Sequence, residues 1–367
     1  MRIGLSASSI EPSRNRGVVD GMGHYTLQVD SGLRNRGYTV NRYSFPRFRG
    51  ESKFEYSKKL PRSFVSQLFL SSTFRRHSLD LDVDVFHCTD YKIVPMKQPV
   101  VATIWDAISF VHPEWFSGSL RKRFTPMIFR KSAEFADKVI AVSNHAAEDI
   151  SKNFKVPESK IEVVPWCISD SWLDNISDNE VLETCRRFGL KENFILSVGT
   201  LQPRKNFDRL IDAFLMLPHE LKRDRKLVIV GKPGWCCEPT LAKIKKHKEF
   251  VVHLSEVTDE ELKALYQAAD LFAFPSLYEG FGMPPLEAFA SNIPVVASNL
   301  TSIPEVVGDA AILVDPYSIK DTSNGLANVL ANPREASNLI RKGQRRLQIF
   351  SEKSMISSLA NIYNGMV

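Results

Sequence analysis

The chain has 367 residues, 43% hydrophobic and 25% charged, with a net charge of +6. At roughly 150 residues per domain this is globular material for two domains, each with its own core. No run reaches the roughly 18 apolar residues of a membrane span, and five scattered cysteines without CxxC spacing argue against a disulfide framework or a zinc site.

The opening MRIGLSAS reads as a first strand and not as a signal sequence, so a cytoplasmic protein is expected. Short β-branched runs then alternate with helix-period segments, as when crossover helices join parallel strands. The first half offers Arg2–Ser6, Tyr38–Ser44, Val83–His87, Val100–Ile104 and Lys138–Val142; the second offers Phe194–Val198, Lys226–Val230, Phe250–Leu254, Leu271–Phe274 and Pro294–Ala297. The expected fold is α/β, two doubly wound units in tandem. Val164–Asp178 is rich in turn formers and reads as the link, which places the domains at 1–168 and 169–345. A final helical segment, 346–367, is expected to pack back on the first domain.

Positive charge is concentrated in the first half, where residues 1–168 hold 25 Lys and Arg against 17 Asp and Glu. Between Arg34 and Arg76 lie Arg36, Arg42, Arg47, Arg49, Lys53, Lys58, Lys59, Arg62 and Arg75, with only Glu51 and Glu55 as acids and with Phe45, Phe48, Phe54, Tyr56, Phe64 and Phe69 interleaved. This is either a solvated basic surface or a face for anionic lipid at the inner side of the plasma membrane, or for a pyrophosphate-linked acceptor. No recognition module for nucleic acid accompanies it.

In open α/β sheets ligands bind beyond the carboxyl ends of the strands. The loop after the first strand ends Gly17-Val18-Val19-Asp20-Gly21-Met22-Gly23-His24-Tyr25 and runs into a helix. It is either a phosphate-facing turn or a plain tight turn. Asp80-Leu81-Asp82-Val83-Asp84 contains a D-x-D pattern, but it leads into a strand instead of following one, so no metal site is expected. After Phe194–Val198 comes Gly199-Thr200-Leu201-Gln202-Pro203-Arg204-Lys205-Asn206, two adjacent cations suited to neutralising a diphosphate. After Leu271–Phe274 comes Pro275-Ser276-Leu277-Tyr278-Glu279-Gly280-Phe281-Gly282-Met283-Pro284-Pro285-Leu286-Glu287-Ala288, a glycine-bearing turn into a helix that opens with proline. It puts Glu279 in the loop and Glu287 one turn inside the helix.

Glu279 and Glu287, eight positions apart, resemble the E-x7-E motif of family 4 glycosyltransferases, which have the GT-B fold: two Rossmann-like domains facing across a cleft. The likeness runs through GMGHYT, VATIWDAISFVHPEWF, ADKVIAVSNHAAEDI, VGTLQPRKNFDRLIDAF, VTDEELKALYQAADLFAFPSLYEGFGMPPLEAFA and IPVVASNLTSIPEVVGDAAILVDP. It implies a retaining hexose transfer without a required metal or other cofactor, from a nucleotide diphosphate sugar bound by the second domain to an acceptor bound by the first. By position, Arg204 and Lys205 would hold the donor diphosphate, Glu287 the ribose, and Glu279 with the backbone of Gly280, Phe281, Gly282 and Met283 the transferred sugar. Gly21 and Gly23 would approach the diphosphate from the other domain. The nearest pattern is that of bacterial surface-polysaccharide enzymes, with mannose from GDP-mannose as the expected donor and a glycan or polyprenyl-pyrophosphate-linked acceptor.

The chain departs from the family at three points. Trp105-Asp106 stands where a His-Asp pair is usual, so Trp105 and Asp106 are expected beside the donor sugar, with His24 and His112 as other proton-carrying candidates. Pro165-Trp166-Cys167 replaces P-N-G, and a glycine expected near Asn292 is missing. A sugar-nucleotide epimerase or phosphorylase of the same fold, or a catalytically silent sugar-nucleotide binding protein, also fits the sequence.

Overall fold

The computed structural model describes residues 1–11, 19–46, 56–74, 78–116, 120–191 and 193–367. Gly17 and Val18 of the first loop, and Arg47, Phe48, Arg49, Glu51, Lys53, Phe54, Glu55 and Arg75 of the basic stretch, lie outside them. The chain divides into two compact units, Met1–Cys167 with Glu352–Val367, and Ile168–Ser351. Its second crossing falls at 351/352 and not at 345/346, because the helix Pro333–Leu347 runs through that point with Leu339 and Leu347 buried in the second unit, and Phe350 after it is buried too.

The first unit holds a parallel sheet of β1 (Arg2–Ser6), β2 (Thr39–Ser44), β3 (Lys58–Lys59), β4 (Val85–Cys88), β5 (Val100–Ile104), β6 (Lys138–Ala141) and β7 (Ile161–Val163), in the order β3-β2-β1-β4-β5-β6-β7. The second holds β8 (Phe194–Val198), β9 (Lys226–Val230), β10 (Val251–Leu254), β11 (Leu271–Phe274), β12 (Val295–Ser298) and β13 (Ala311–Val314), in the order β10-β9-β8-β11-β12-β13. Helices cover both faces of such sheets, so the central strands read as near-continuous apolar runs, as in VVATI and LFAF, which are buried throughout.

Strand order reverses beside β1 in the first unit and beside β8 in the second, and the crevice between the two diverging crossovers is where such sheets bind ligands. In the second unit that crevice lies beyond the carboxyl ends of the paired strands β8 and β11, and the two loops with the candidate residues leave these strands. A close backbone approach fixes the floor: a Cβ on Gly231, after β9, would come within 2.0 Å of the Gly199 carbonyl oxygen, after β8. Only glycine fits there.

The helix Glu352–Asn364 belongs to the first unit, where Ile356 fills the space above Gly32 of the helix Gly21–Asn35. Its Tyr363 hydroxyl lies 2.8 Å from His87 Nδ1 inside the core, and burial holds that imidazole down to about 3, hence neutral. Asn292 adopts φ 58°, the left-handed conformation that glycine takes easily and asparagine tolerates, so the missing glycine costs the backbone little.

Candidate active site

In the second unit the loop after β8 closes in the short 3-10 turn Pro203–Lys205 and reverses at Asn206, which has φ 61°. Asn206 Nδ2 donates to the carbonyls of Pro275 (3.0 Å) and Pro316 (2.8 Å), and the Leu277 amide donates to the Arg204 carbonyl at 2.7 Å. The loop after β8 is thereby stitched to those after β11 and β13. This places Lys205 Nζ 2.7 Å from Glu279 Oε1 and Arg204 Nη1 2.5 Å from Glu279 Oε2. Arg204 Nη1 also donates to the Tyr278 carbonyl.

The cluster is nearly dry: Lys205 and Glu279 are each 7% exposed. Burial works against the Glu279 charge, but Arg204 and Lys205 outweigh it and draw the carboxyl down to about 2. Burial also lowers the Lys205 ammonium to about 8, only partly offset by Glu279. Lys205 Nζ lies over the Phe274 ring, 4.7 Å from its centre, a second partner for the desolvated charge. Two cations against one carboxylate leave an excess of positive charge at the sheet's ligand crevice, where an anion is favoured.

Glu287 sits in the helix Met283–Ala290 and accepts a hydrogen bond from the Tyr266 hydroxyl at 2.8 Å. Burial pushes its carboxyl up to about 7 against that bond and against the pull of Lys205. Gly282 starts this helix at φ 107°, with the Ile303 side chain filling the space a Cβ would need. Glu279, Gly280, Phe281 and Gly282 are buried, while Met283 and Glu287 are half-buried. The structure thus gathers Arg204, Lys205, Glu279, Gly280, Phe281, Gly282, Met283 and Glu287 on two stitched loops and one helix.

The other candidates belong to the first unit. Asp20 caps the helix Gly21–Asn35, its carboxylate accepting from the Gly23 amide at 2.9 Å, so the expected phosphate-facing amide of Gly23 has an internal acceptor. A Cβ on Gly21 would meet the Trp166 ring at 3.5 Å. Trp105 packs edge-on against Tyr25 (4.8 Å between centres) and Trp166 (5.3 Å). Its indole N–H donates to the Thr89 carbonyl at 3.1 Å, which leaves the ring alone for any further contact.

Asp106 Oδ1 accepts from the Ile108 amide at 3.1 Å and meets the Tyr91 hydroxyl at 3.4 Å, a turn-stabilising position. His112 stacks on Trp115 and pairs with Glu114 at 2.9 Å, while His24 is exposed. The D-x-D carboxylates serve ion pairs, Asp80 with Lys97 and Asp82 with Arg2. Among the described residues no group of three or more His, Cys, Asp or Glu is placed to hold a metal ion.

Residues 19–172 match the family model "Glycosyltransferase Family 4" and residues 184–346 match "Glycosyl transferases group 1". The chain is 30% identical over 306 residues to the MMP alpha-(1->4)-mannosyltransferase of Mycolicibacterium hassiacum, covering 78% of this chain and 71% of that one. The chain belongs to glycosyltransferase family 4. This family 4 chain is also 29% identical over 282 residues to O-antigen chain mannosyltransferase B of Escherichia coli, with 76% and 74% of the two chains covered. Its fold is GT-B: the crystal structure of WaaG, a glycosyltransferase involved in lipopolysaccharide biosynthesis, superposes with a TM-score of 0.72 at 18% identity, covering 99% of this chain and 100% of that one.

Three side chains that hydrogen-bond to Glu287 or to the loop bearing Glu279 escape a sequence reading. Tyr266 lies on the helix Asp259–Ala268, where its spacing reads as core. Thr301 and Ser302 precede the helix Ile303–Val307 and read as a cap, yet the Ser302 side chain caps nothing and bonds elsewhere.

Proposed function

We propose that this family 4 chain is a retaining glycosyltransferase that transfers a hexose, mannose from GDP-mannose, to a glycan or polyprenyl-pyrophosphate-linked acceptor in polysaccharide biosynthesis, without a required metal. The observation that carries the proposal is the Arg204–Lys205–Glu279 cluster at the β8–β11 switch point, with Lys205 and Glu279 buried and Arg204 half-buried. Its two cations stand where charge develops on a departing diphosphate, and preorganised charge in a water-poor site stabilises a transition state more than a solvated group does. Glu287 and Tyr266 supply hydrogen-bonding groups for the ribose, and Glu279 for the sugar hydroxyls. Attack comes from the face the leaving group vacates, which preserves the anomeric configuration. The mannosyltransferase relatives favour mannose.

Incubation of the protein and EDTA with GDP-mannose and a mannose-terminated acceptor, followed by NMR of the product, tests this. An α-linked mannosyl product from the α-linked donor is the expected result. A β-linked product overturns retention, a requirement for added cation overturns metal independence, and epimer formation without acceptor points to an epimerase instead.

The described part of the basic stretch supports peripheral contact with anionic membrane. Lys58, Lys59 and Arg62 are exposed, as are Tyr56, Val65 and Phe69, whereas Arg34 and Arg42 share an ion pair with Asp30. Among the described residues no helix is long and apolar enough to cross a membrane.

A further inference from the structure

The loop between β11 and the helix Met283–Ala290 has no regular secondary structure, so each of its backbone groups needs a partner from elsewhere. Its front half is held from the loop after β8, by Asn206 on Pro275 and by Arg204 on Leu277. Its rear half, Glu279–Gly282, is held by three consecutive residues from a different part of the chain. Thr301 Oγ1 accepts from the Glu279 amide at 3.2 Å. Ser302 Oγ lies 2.9 Å from the Glu279 carbonyl oxygen and 2.7 Å from that of Phe281, donating its one proton between them. Ile303 Cδ1 occupies the space beside Gly282 where a Cβ would sit, 2.6 Å from that position.

Two features single this segment out. Ser302 is fully buried and spends its hydroxyl on loop carbonyls, although it stands where a helix cap would use it. Thr301 has φ 57°, a left-handed backbone that a β-branched residue rarely adopts, and in that conformation its hydroxyl meets the Glu279 amide.

We propose that Thr301 and Ser302 are positioning residues for glycosyl transfer: they clamp the main chain of Glu279–Phe281 so that the Glu279 carboxylate is delivered to Arg204 and Lys205. The inference rests on the reading of that cluster as the transfer site. The clamp fixes the path of the chain on both sides of the Glu279 Cα, and the carboxylate's bonds to Arg204 (2.5 Å) and Lys205 (2.7 Å) depend on that path. Neither hydroxyl contacts the cations itself among the bonds described, so the effect on turnover is exerted through Glu279.

The test uses Ser302→Ala, Thr301→Gly and Thr301→Ser in the full chain, with Glu279→Gln alongside. Amide hydrogen exchange of residues 277–283, melting temperature, GDP and UDP affinity, and nucleotide release from GDP-mannose and UDP-glucose are measured. Ser302→Ala and Thr301→Gly are expected to speed exchange in 279–282 and to lower turnover by at least about tenfold, while diphosphate affinity stays within about threefold. Thr301→Gly relieves the left-handed strain, so its melting temperature is not expected to fall, and Thr301→Ser, which keeps the oxygen, is expected to restore exchange and turnover. Unaltered exchange in Ser302→Ala and Thr301→Gly overturns the clamp, as does a Thr301→Ser variant no better than Thr301→Gly. If Glu279→Gln turns over normally while the loop loosens as expected, the transfer-site reading fails and the clamp itself stands.

Discussion

Lys205 Nζ sits 2.7 Å from Glu279 Oε1 in a region where both residues are 7% exposed. A buried charge that loses its partner is costly, about 3–5 kcal/mol, because the remaining ion is left desolvated. Glu279→Ala removes the carboxylate shared by Arg204 and Lys205 and leaves two like charges facing each other. A marked loss of melting temperature is expected, together with a larger rise on adding a nucleoside diphosphate than in the unaltered protein, since the anion replaces the lost charge. Thermal shift with and without diphosphate measures this; equal ligand-induced shifts in both proteins would contradict it.

Glu287 titrates near 7 in the folded protein against an ordinary value of 4.5. The folded state therefore binds this proton more tightly than the unfolded one, and the stability it confers is fully present below pH 4.5 and lost as pH rises to 7. Over that window the loss amounts to no more than about 3 kcal/mol. Lys205, lowered to about 8 from 10.5, acts in the other direction at higher pH: stability rises between 8 and 10.5 as the unfolded state alone retains the proton. Neutral buried His87, held down to about 3, raises stability with pH over part of the same window, so the Glu287 share is read as a difference: in denaturation followed from pH 5 to 7 the stability of the unaltered protein is expected to fall relative to that of Glu287→Gln. An unchanged slope in that variant would assign the titration to another group.

Trp105 uses its N–H on Thr89 and its edges on Tyr25 and Trp166, so any contribution to transfer comes from the ring alone. Under the proposed function Trp105→Ala lowers transfer by at least tenfold, on the order of 1.4 kcal/mol in the barrier, in a protein that remains folded. Trp105→Phe retains most of it, because a ring remains. Normal kinetics in a folded Trp105→Ala protein would remove this side chain from the active site.

Exposed Lys58, Lys59 and Arg62, with Tyr56 and Phe69, predict binding to anionic vesicles that weakens with salt, since the Debye length is about 10 Å at 0.1 M ionic strength. Co-sedimentation with anionic and neutral vesicles checks this. Equal, salt-independent binding to both excludes an electrostatic origin.

Among the described residues ten strands were legible as short β-branched or apolar runs, most clearly where a strand is buried along its whole length, as in β5 and β11. The three that were not, β3, β7 and β13, all lie at sheet edges. Lys58–Lys59 is two exposed lysines paired with Tyr43 and Ser44, and Ile161–Val163 is only partly buried, so neither carries the signal. Arg204, Lys205, Glu279 and Glu287 could be named from their loops. Their pairing across 74 residues could not, because nothing in a sequence distinguishes a carboxylate that meets a ligand from one already held by the cations beside it. Tyr266, Thr301 and Ser302 stayed hidden for a related reason: their roles depend on which backbone they meet, and that is a property of the folded loop.

Under the proposed function, Arg204 and Lys205 bind the diphosphate of a sugar nucleotide. A charge-assisted hydrogen bond in a desolvated site contributes about 1.5–3 kcal/mol, equivalent to roughly tenfold or more in affinity. The most direct measurement is calorimetric titration of the unaltered protein, Lys205→Ala and Glu287→Ala with GDP, UDP, ADP and dTDP. One diphosphate is expected to bind preferentially, GDP if the donor is GDP-mannose, and both substitutions to weaken it by tenfold or more without unfolding the protein. Unchanged affinity in both variants would contradict the account.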